Sequence, residues 1–214
     1  MKKCILILSF LTLTLGLSAQ VYVGGNVSFS ATAIDQTVDN TTTEVGRTTS
    51  FSILPEAGYF LADDLSVGGK VGISLQRQNT NPGGDDNISS LLRFHISPYV
   101  RKYFSLGDKL YLYGEGGVSF ATGTEKNTVG GTTSDGPTVT DFSVAIAPGM
   151  EYKVSDRFAV NMDLGGLGYT IHKTTSSGNP ETITKDKRFY FNAGFDNLSF
   201  GVKYYLNMGA STSE

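Results

Sequence analysis

Three residues in the middle of the chain are of types that could perform nucleophilic catalysis. His95 and Ser97 are two positions apart, so in a β-strand their side chains share one face. Glu115 lies in the next predicted strand and could orient the histidine in an esterase-like set. The alternation of polar and apolar residues places this face on the inside of the predicted fold, among charged residues. Pro98 places Ser97 near one end of its strand. We therefore favour an interior histidine among charged neighbours and predict that the protein is not an enzyme.

Metal and cofactor chemistry has little support in the sequence. His172 stands beside Lys173 and several threonines, without a second histidine nearby. The acidic segment 85–87 follows two glycines, but it lacks the spaced D-x-D-x-D pattern and the distant glutamate of a calcium loop. We predict no metal site and no cofactor.

The first 19 residues have the features of a secretory signal peptide. Two lysines precede an apolar run over 5–17, and small residues follow at 18 and 19. This run is shorter than the roughly 20 apolar residues that a membrane-spanning helix needs. We therefore predict export and cleavage before Gln20. Cys4 is the only cysteine, so the mature chain has no thiol chemistry.

Composition and charge narrow the class of the mature chain. The chain has 214 residues, and removing the 19 of the signal peptide leaves 195, enough for one domain. Two of the 17 basic residues are lost with it, leaving 15 against 20 acidic residues, so we predict no nucleic-acid binding. Abundant glycine, threonine and serine favour a β-rich chain with many turns.

Alternation of apolar and polar residues recurs along the mature chain and predicts eight strands. They exceed the usual globular strand of about 5–6 residues. An even number of long strands with one apolar face is typical of a transmembrane barrel. We predict an all-β fold: an eight-stranded antiparallel up-and-down transmembrane β-barrel over 20–206. A short periplasmic tail over 207–214 would follow it. A soluble sandwich is the structural alternative. The predicted strands are 20–32, 48–61, 65–77, 89–104, 110–123, 138–153, 157–172 and 188–206.

The connections alternate between long and short, which predicts an orientation. Bacterial outer-membrane barrels have short periplasmic turns and longer extracellular loops. Both ends of the barrel are therefore expected in the periplasm, with four loops outside. The long segments are 33–47, 78–88, 124–137 and 173–187, and the short ones are 62–64, 105–109 and 154–156.

Prolines and aromatic residues are expected on the outward, lipid-facing side. Pro55, Pro98 and Pro148 each follow an Ile-x pair, and we interpret them as bulge or bend sites because proline cannot donate to a β ladder. Shifts of the apolar alternation at 165–166 and 196–197 predict two β-bulges. Aromatic residues sort into two girdles. One contains Phe29, Phe51, Phe94, Phe120 and Phe142; the other contains Tyr59, Phe104, Tyr152, Phe158 and Tyr204.

The inward face collects the charged residues of the strands. Opposite charges are nearly balanced there, and buried charges persist when they are paired. We favour a structural salt-bridge network that fills the interior over a selectivity lining, because eight strands leave little more room than side chains need. The basic residues are Lys70, Arg93, Arg101, Lys153 and Lys203, and the acidic ones are Glu56, Glu115, Asp141, Glu151, Asp163 and Asp196.

Four segments support a resemblance to a known family: 18–20, Pro55 to Leu65, Ser97 to Phe104, and Leu198 to Leu206. The chain resembles the small outer-membrane β-barrel family typical of Bacteroidota, which is related in architecture to OmpX and the OmpA transmembrane domain and is often labelled porin-like. One feature departs from the family: such barrels commonly end on an aromatic residue of the last strand, whereas here Leu206 is followed by eight further residues. The resemblance implies a bacterial outer-membrane location among lipids and lipopolysaccharide, and assembly by the barrel assembly machinery with periplasmic chaperones.

We interpret the chain as a monomeric, non-catalytic barrel protein with a filled lumen. It would serve envelope integrity or surface interaction through its four extracellular loops. The alternative is a small passive pore for small solutes.

Overall fold

All regular structure in the described residues is β-strand. The computed structural model describes residues 20–39, 41–80, 87–176, 180–192 and 199–206. The predicted signal peptide and C-terminal tail lie outside these ranges and stay predictions. Within the described residues, no helix is long and apolar enough to span a membrane. The strands are β1 (Val21–Val38), β2 (Thr41–Ala62), β3 (Leu65–Asn79), β4 (Asn87–Ser105), β5 (Leu110–Val129), β6 (Thr132–Lys153), β7 (Phe158–Asp163), β8 (Gly166–Ser176), β9 (Thr182–Asn192) and β10 (Ser199–Tyr205).

The strands form one closed antiparallel ring. β1 to β6 pair in chain order, and β6 pairs with both β7 and β8. β8 pairs with β9, β7 pairs with β10, and β10 pairs with β1 to close the ring. Thus β7 and β8 together make the seventh strand of the barrel, and β9 and β10 make the eighth. The predicted eight-stranded antiparallel barrel is confirmed.

The seventh strand contains the first of the two predicted bulges. On β6, two residues separate the pairs Gly149↔Asp163 and Ile146↔Leu167, whereas the seventh strand has three in the same interval. Gly165 supplies the sharp bend with a φ of 93°, which glycine adopts without a steric penalty. The second predicted bulge, at 196–197, lies outside the described residues.

Three of the predicted long loops are mostly strands that continue beyond their expected ends. In 173–187, β8 and β9 stay paired up to Ser176↔Thr182, so the eighth strand begins before the predicted residue 188. β1 and β2 stay paired up to Val38↔Thr41, so 33–47 is mostly a hairpin. β5 and β6 stay paired up to Val129↔Thr132 around two glycines with positive φ, as a two-residue hairpin turn requires. The loop prediction was wrong there because polar residues, many of them threonine, occupy both faces, so no regular apolar alternation marks the strands.

The outward face is apolar, as predicted. Phe29 and Phe51 are directly paired across β1 and β2, and Phe120 and Phe142 across β5 and β6. All four are exposed, as is Phe94. At the opposite ends of the strands, Phe104, Tyr152, Phe158 and Tyr204 are also exposed, while Tyr59 is half-buried. Large exposed apolar side chains on one continuous surface are typical of a surface that contacts lipid.

The three prolines interrupt strand pairing in two ways. Around Pro55, β2 and β3 pair at Ile53↔Ile73 and again at Glu56↔Lys70 in one register, so the ladder has a gap without an extra residue. Pro98 leaves the same kind of gap between β4 and β5. These two sites are therefore not bulges, whereas Pro148 faces the bulge of the seventh strand.

Candidate functional site in the barrel lumen

The lumen is filled at the end of the barrel that has the short turns. Four charged residues are buried there, and each comes from a different even-numbered strand of the eight. In order around the ring they alternate in sign. We call this set the plug: Glu56 of β2, Arg101 of β4, Glu151 of β6 and Lys203 of β10.

Direct contacts join the plug charges across the lumen. Arg101 Nη2 lies 3.4 Å from Glu56 Oε2, and Lys203 Nζ lies 4.0 Å from Glu56 Oε1. Lys203 also donates to Glu151. Tyr103 bridges the remaining side, because its hydroxyl accepts from Arg101 Nη1 at 3.3 Å and donates to Glu151 Oε2 at 3.4 Å. Each buried charge therefore meets an opposite charge, which offsets the large cost of removing it from water.

Tyrosines surround the plug and donate hydrogen bonds to both of its carboxylates. Tyr99 donates to Glu56 Oε2 at 3.1 Å, and its hydroxyl lies 2.9 Å from that of Tyr22. Tyr205 donates to Glu151. The Arg101 guanidinium lies 4.5 Å from the ring centre of Tyr113 and 4.9 Å from that of Tyr99, within the range of cation–π attraction. The plug is thus enclosed by aromatic rings on several sides.

Luminal glycines make room for luminal tyrosines. In each case the two residues are direct cross-strand partners, and a side chain on the glycine would enter the space of the ring. A Cβ on Gly58, for example, would lie 2.5 Å from the Tyr22 hydroxyl oxygen. The alternation of polar and apolar residues does not reveal this pattern, although it is visible once the hairpins are aligned. The pairs are Tyr22↔Gly58, Gly68↔Tyr99, Tyr113↔Gly149 and Gly168↔Tyr190.

Another part of the lumen, away from the plug, is open. A cavity of about 750 Å³, which we call the outer cavity, lies between β4, β5, β6, β8 and β9. Asp141 is the centre of its polar network: Arg93 Nη1 donates to one carboxylate oxygen at 2.9 Å, and His172 Nδ1 to the other at 2.5 Å. Asp186, Arg188 and Tyr190 of β9 also line the cavity.

The other residues of the predicted charge set have different partners. Lys70 lies 2.6 Å from Glu115, which also binds Arg101 at 2.5 Å. Lys153 has no ion pair within the described part of the chain; its Nζ instead lies 4.9 Å from the ring centre of Tyr111. Asp163 accepts from the Tyr113 hydroxyl at 2.5 Å and from Asn26 Nδ2 at 3.0 Å. Asp196 lies outside the described residues.

The residues considered for catalysis are not brought together. His95 Nε2 shares a hydrogen bond with Ser74 Oγ at 2.7 Å, whereas Ser97 Oγ donates to Ser119 at 3.0 Å. Glu115 binds Lys70 and Arg101 and not the histidine. Sequence analysis missed the contact between Ser74 and His95, which faces the lumen. Among the described residues, no group of three or more His, Cys, Asp or Glu side chains is arranged to hold a metal ion.

A closed eight-stranded barrel with an apolar outside and a charged, filled inside defines the class of small outer-membrane barrels. The sequence matches the family described as outer membrane protein beta-barrel domain over residues 5–205, and the chain belongs to that family. A comparison with curated proteins gives no match.

Solved structures of similar shape are themselves small barrels. Neisserial surface protein A is 17% identical, with a TM-score of 0.42, covering 88% of this chain and 99% of its own. Ail, the attachment invasion locus protein of Yersinia pestis, is 12% identical, with a TM-score of 0.40 and coverage of 88% and 99%. The N-terminal β-barrel domain of Pseudomonas aeruginosa OprF is 13% identical, with a TM-score of 0.35 and coverage of 88% and 98%.

Proposed function

We propose that the chain is a monomeric, non-catalytic protein of the bacterial outer membrane, exported by a signal peptide that is cleaved before Gln20. Lipids and lipopolysaccharide would surround it, after insertion by the barrel assembly machinery with periplasmic chaperones. Its role is envelope integrity or surface interaction. Family membership and the apolar outward face support the location.

The plug is the observation on which a non-conducting lumen rests. Its four charges come from alternate strands, and each is at most 4% exposed. An ion crossing the barrel would have to separate these ion pairs. Removing a partner from a buried ion pair costs about 3–5 kcal/mol, so thermal opening of the plug is rare.

The outer cavity supports the alternative of a small passive pore, since this part of the lumen already has room for solutes. Planar-bilayer recording of the purified full-length mature protein separates the two functions. A filled lumen predicts no stable, reproducible conductance steps. Reproducible steps of one size would contradict the proposal and favour the pore.

The extended hairpins support the proposed surface role. Beyond the girdle pair Phe29↔Phe51, β1 and β2 remain paired as far as Val38↔Thr41. With 18 and 22 residues, both strands are longer than the roughly 9–11 residues that cross a bilayer. Exchanging 31–48 for a short glycine-containing turn should preserve the barrel and abolish the adhesion of cells that carry the protein. The same exchange of 124–137 tests the second extended hairpin. Unchanged adhesion in both variants would argue against the surface role.

A further inference from the structure

Three neighbouring strands bring two buried asparagines to one point of the lumen. Asn26 of β1 pairs with Gly201 of β10, and Gly201 pairs on its other side with Asn161 of β7. Asn26 and Asn161 are only 6% and 3% exposed. A Cβ on Gly201 would lie 2.6 Å from Asn26 Oδ1 and 2.8 Å from Asn161 Oδ1. The two amide oxygens therefore converge on the space beside a residue that has no side chain.

Both amide oxygens lack a hydrogen-bond donor. Among the residues that the structure describes, neither Asn26 Oδ1 nor either polar atom of the Asn161 side chain has a partner. The orientation of the Asn26 amide is fixed, because its Nδ2 donates to Asp163 Oδ2 at 3.0 Å and to Ser199 Oγ at 2.9 Å. A buried amide is costly to leave without a partner. A group that binds both oxygens would remove this cost.

The charges around this point favour a cation over a neutral group. Asp163 accepts a hydrogen bond from the neutral Tyr113 hydroxyl, and it has no ion pair within the described part of the chain. Glu151 lies directly across from Asn161, but it is already paired with Lys203. One negative charge therefore remains uncompensated, although buried charges persist when they are paired. A monovalent cation would balance it, whereas a divalent cation would leave an excess of positive charge.

We propose that the wall of the lumen binds an alkali-metal cation between Asn26 and Asn161. The Oδ1 atom of each asparagine is a ligand, and Asp163 supplies the compensating negative charge. Oxygen ligands suit hard cations. A buried water molecule would also donate to both oxygens, but it would leave the charge of Asp163 uncompensated. The ion joins β1, β10 and β7 where the first and last strands close the ring, so it stabilises the closure.

The first test is the dependence of barrel stability on the cation. The full mature chain in phosphatidylcholine vesicles is unfolded with urea while sodium or potassium chloride replaces choline chloride at constant ionic strength. For a dissociation constant of about 10 mM, raising the alkali-metal cation from about 1 to about 100 mM should raise the unfolding midpoint by about 0.5 M urea. Equal midpoints in all three salts would overturn the proposal, as would a shift that only calcium chloride produces.

Two asparagine variants separate a cation site from a general effect of salt. Asn161→Leu removes one ligand at similar volume and should abolish the shift between the sodium and choline salts. If the site held no ion, the same change would stabilise the barrel in every salt, because an apolar group would replace an unpartnered amide, and that result would overturn the proposal. Asn127→Leu is the matched control: it lies on β5, outside the three strands of the site, and should keep the full shift.

Thallium(I) locates the ion directly and does not depend on a variant that folds. Crystals of the unmodified mature protein, grown with a thallium(I) salt in place of the sodium salt, should show an anomalous-scattering peak between Asn26 Oδ1 and Asn161 Oδ1. An ordinary water peak at this point, without anomalous signal, would overturn the proposal.

Discussion

Glu56 and Arg101 are buried partners that bind across the lumen, 3.4 Å apart, from strands separated by β3. Their contact is one side of the plug, in which Glu151 and Lys203 complete an alternation of charge around the even-numbered strands. Such contacts tie together strands that share no backbone hydrogen bonds. The plug therefore stabilises the closed ring as well as filling it.

Arg101→Met should destabilise the barrel by about 3–5 kcal/mol, because Glu56 and Glu115 would remain buried with less compensation. Urea unfolding in vesicles, followed by circular dichroism and by heat-dependent gel mobility, measures the loss. Lys102→Met is the control: Lys102 binds Asp64 at the surface, and its loss should change stability by less than about 1 kcal/mol. Similar losses of stability in both variants would show that burial of Arg101 and Glu56 does not increase the contribution of their ion pair.

Gly58→Ala should destabilise the barrel by about 1–3 kcal/mol through overpacking, because the added Cβ would lie 2.5 Å from the Tyr22 hydroxyl oxygen. The displaced ring would also lose its 2.9 Å hydrogen bond to Tyr99. Gly69→Ala is the matched control in the neighbouring strand, since its Cβ would have no heavy atom within 4 Å. The same unfolding assay applies, and a stable Gly58→Ala barrel would contradict the proposed role of the tyrosine–glycine pairs.

Gly131→Val should loosen the tip of the hairpin formed by β5 and β6 without altering the barrel. Gly131 has a φ of 80°, where a β-branched residue is strained by about 1–3 kcal/mol. Amide hydrogen exchange should accelerate locally on either side of the turn, while the global unfolding midpoint stays constant. Thr132→Val is the control at a regular strand position. Unchanged exchange in the Gly131 variant would show that the turn tolerates strain.

The number of strands and the direction of their side chains could be predicted because lipid imposes a simple rule on a barrel. Outward residues such as Phe29 and Phe94 must be apolar, so period-two alternation marks each strand within the membrane. Outside the membrane the rule disappears. Thr42 and Thr43 point to opposite faces of β2, yet both are polar and exposed, so their sequence resembles a loop.

The site was less predictable than the fold. Parity places Glu56, Arg101 and Lys203 on the inward face, but their partners depend on the stagger of strands around the closed ring. Glu56 and Lys203 lie 4.0 Å apart although they are far apart in the chain, and no local pattern links them.

Opening the plug should turn the barrel into a pore. Glu56→Ala combined with Arg101→Ala removes two opposite charges together, so no lone charge remains between them, and it leaves space at the narrow part of the lumen. Planar-bilayer recording should then show small, stable conductance steps that the unmodified protein lacks. The control is Arg93→Ala with Asp141→Ala, an equivalent pair in the outer cavity, which should stay silent because the plug remains intact. Heat-dependent gel mobility checks that both variants are folded. Conductance in the control, or none in a folded plug variant, would show that the barrier to ions lies elsewhere in the lumen.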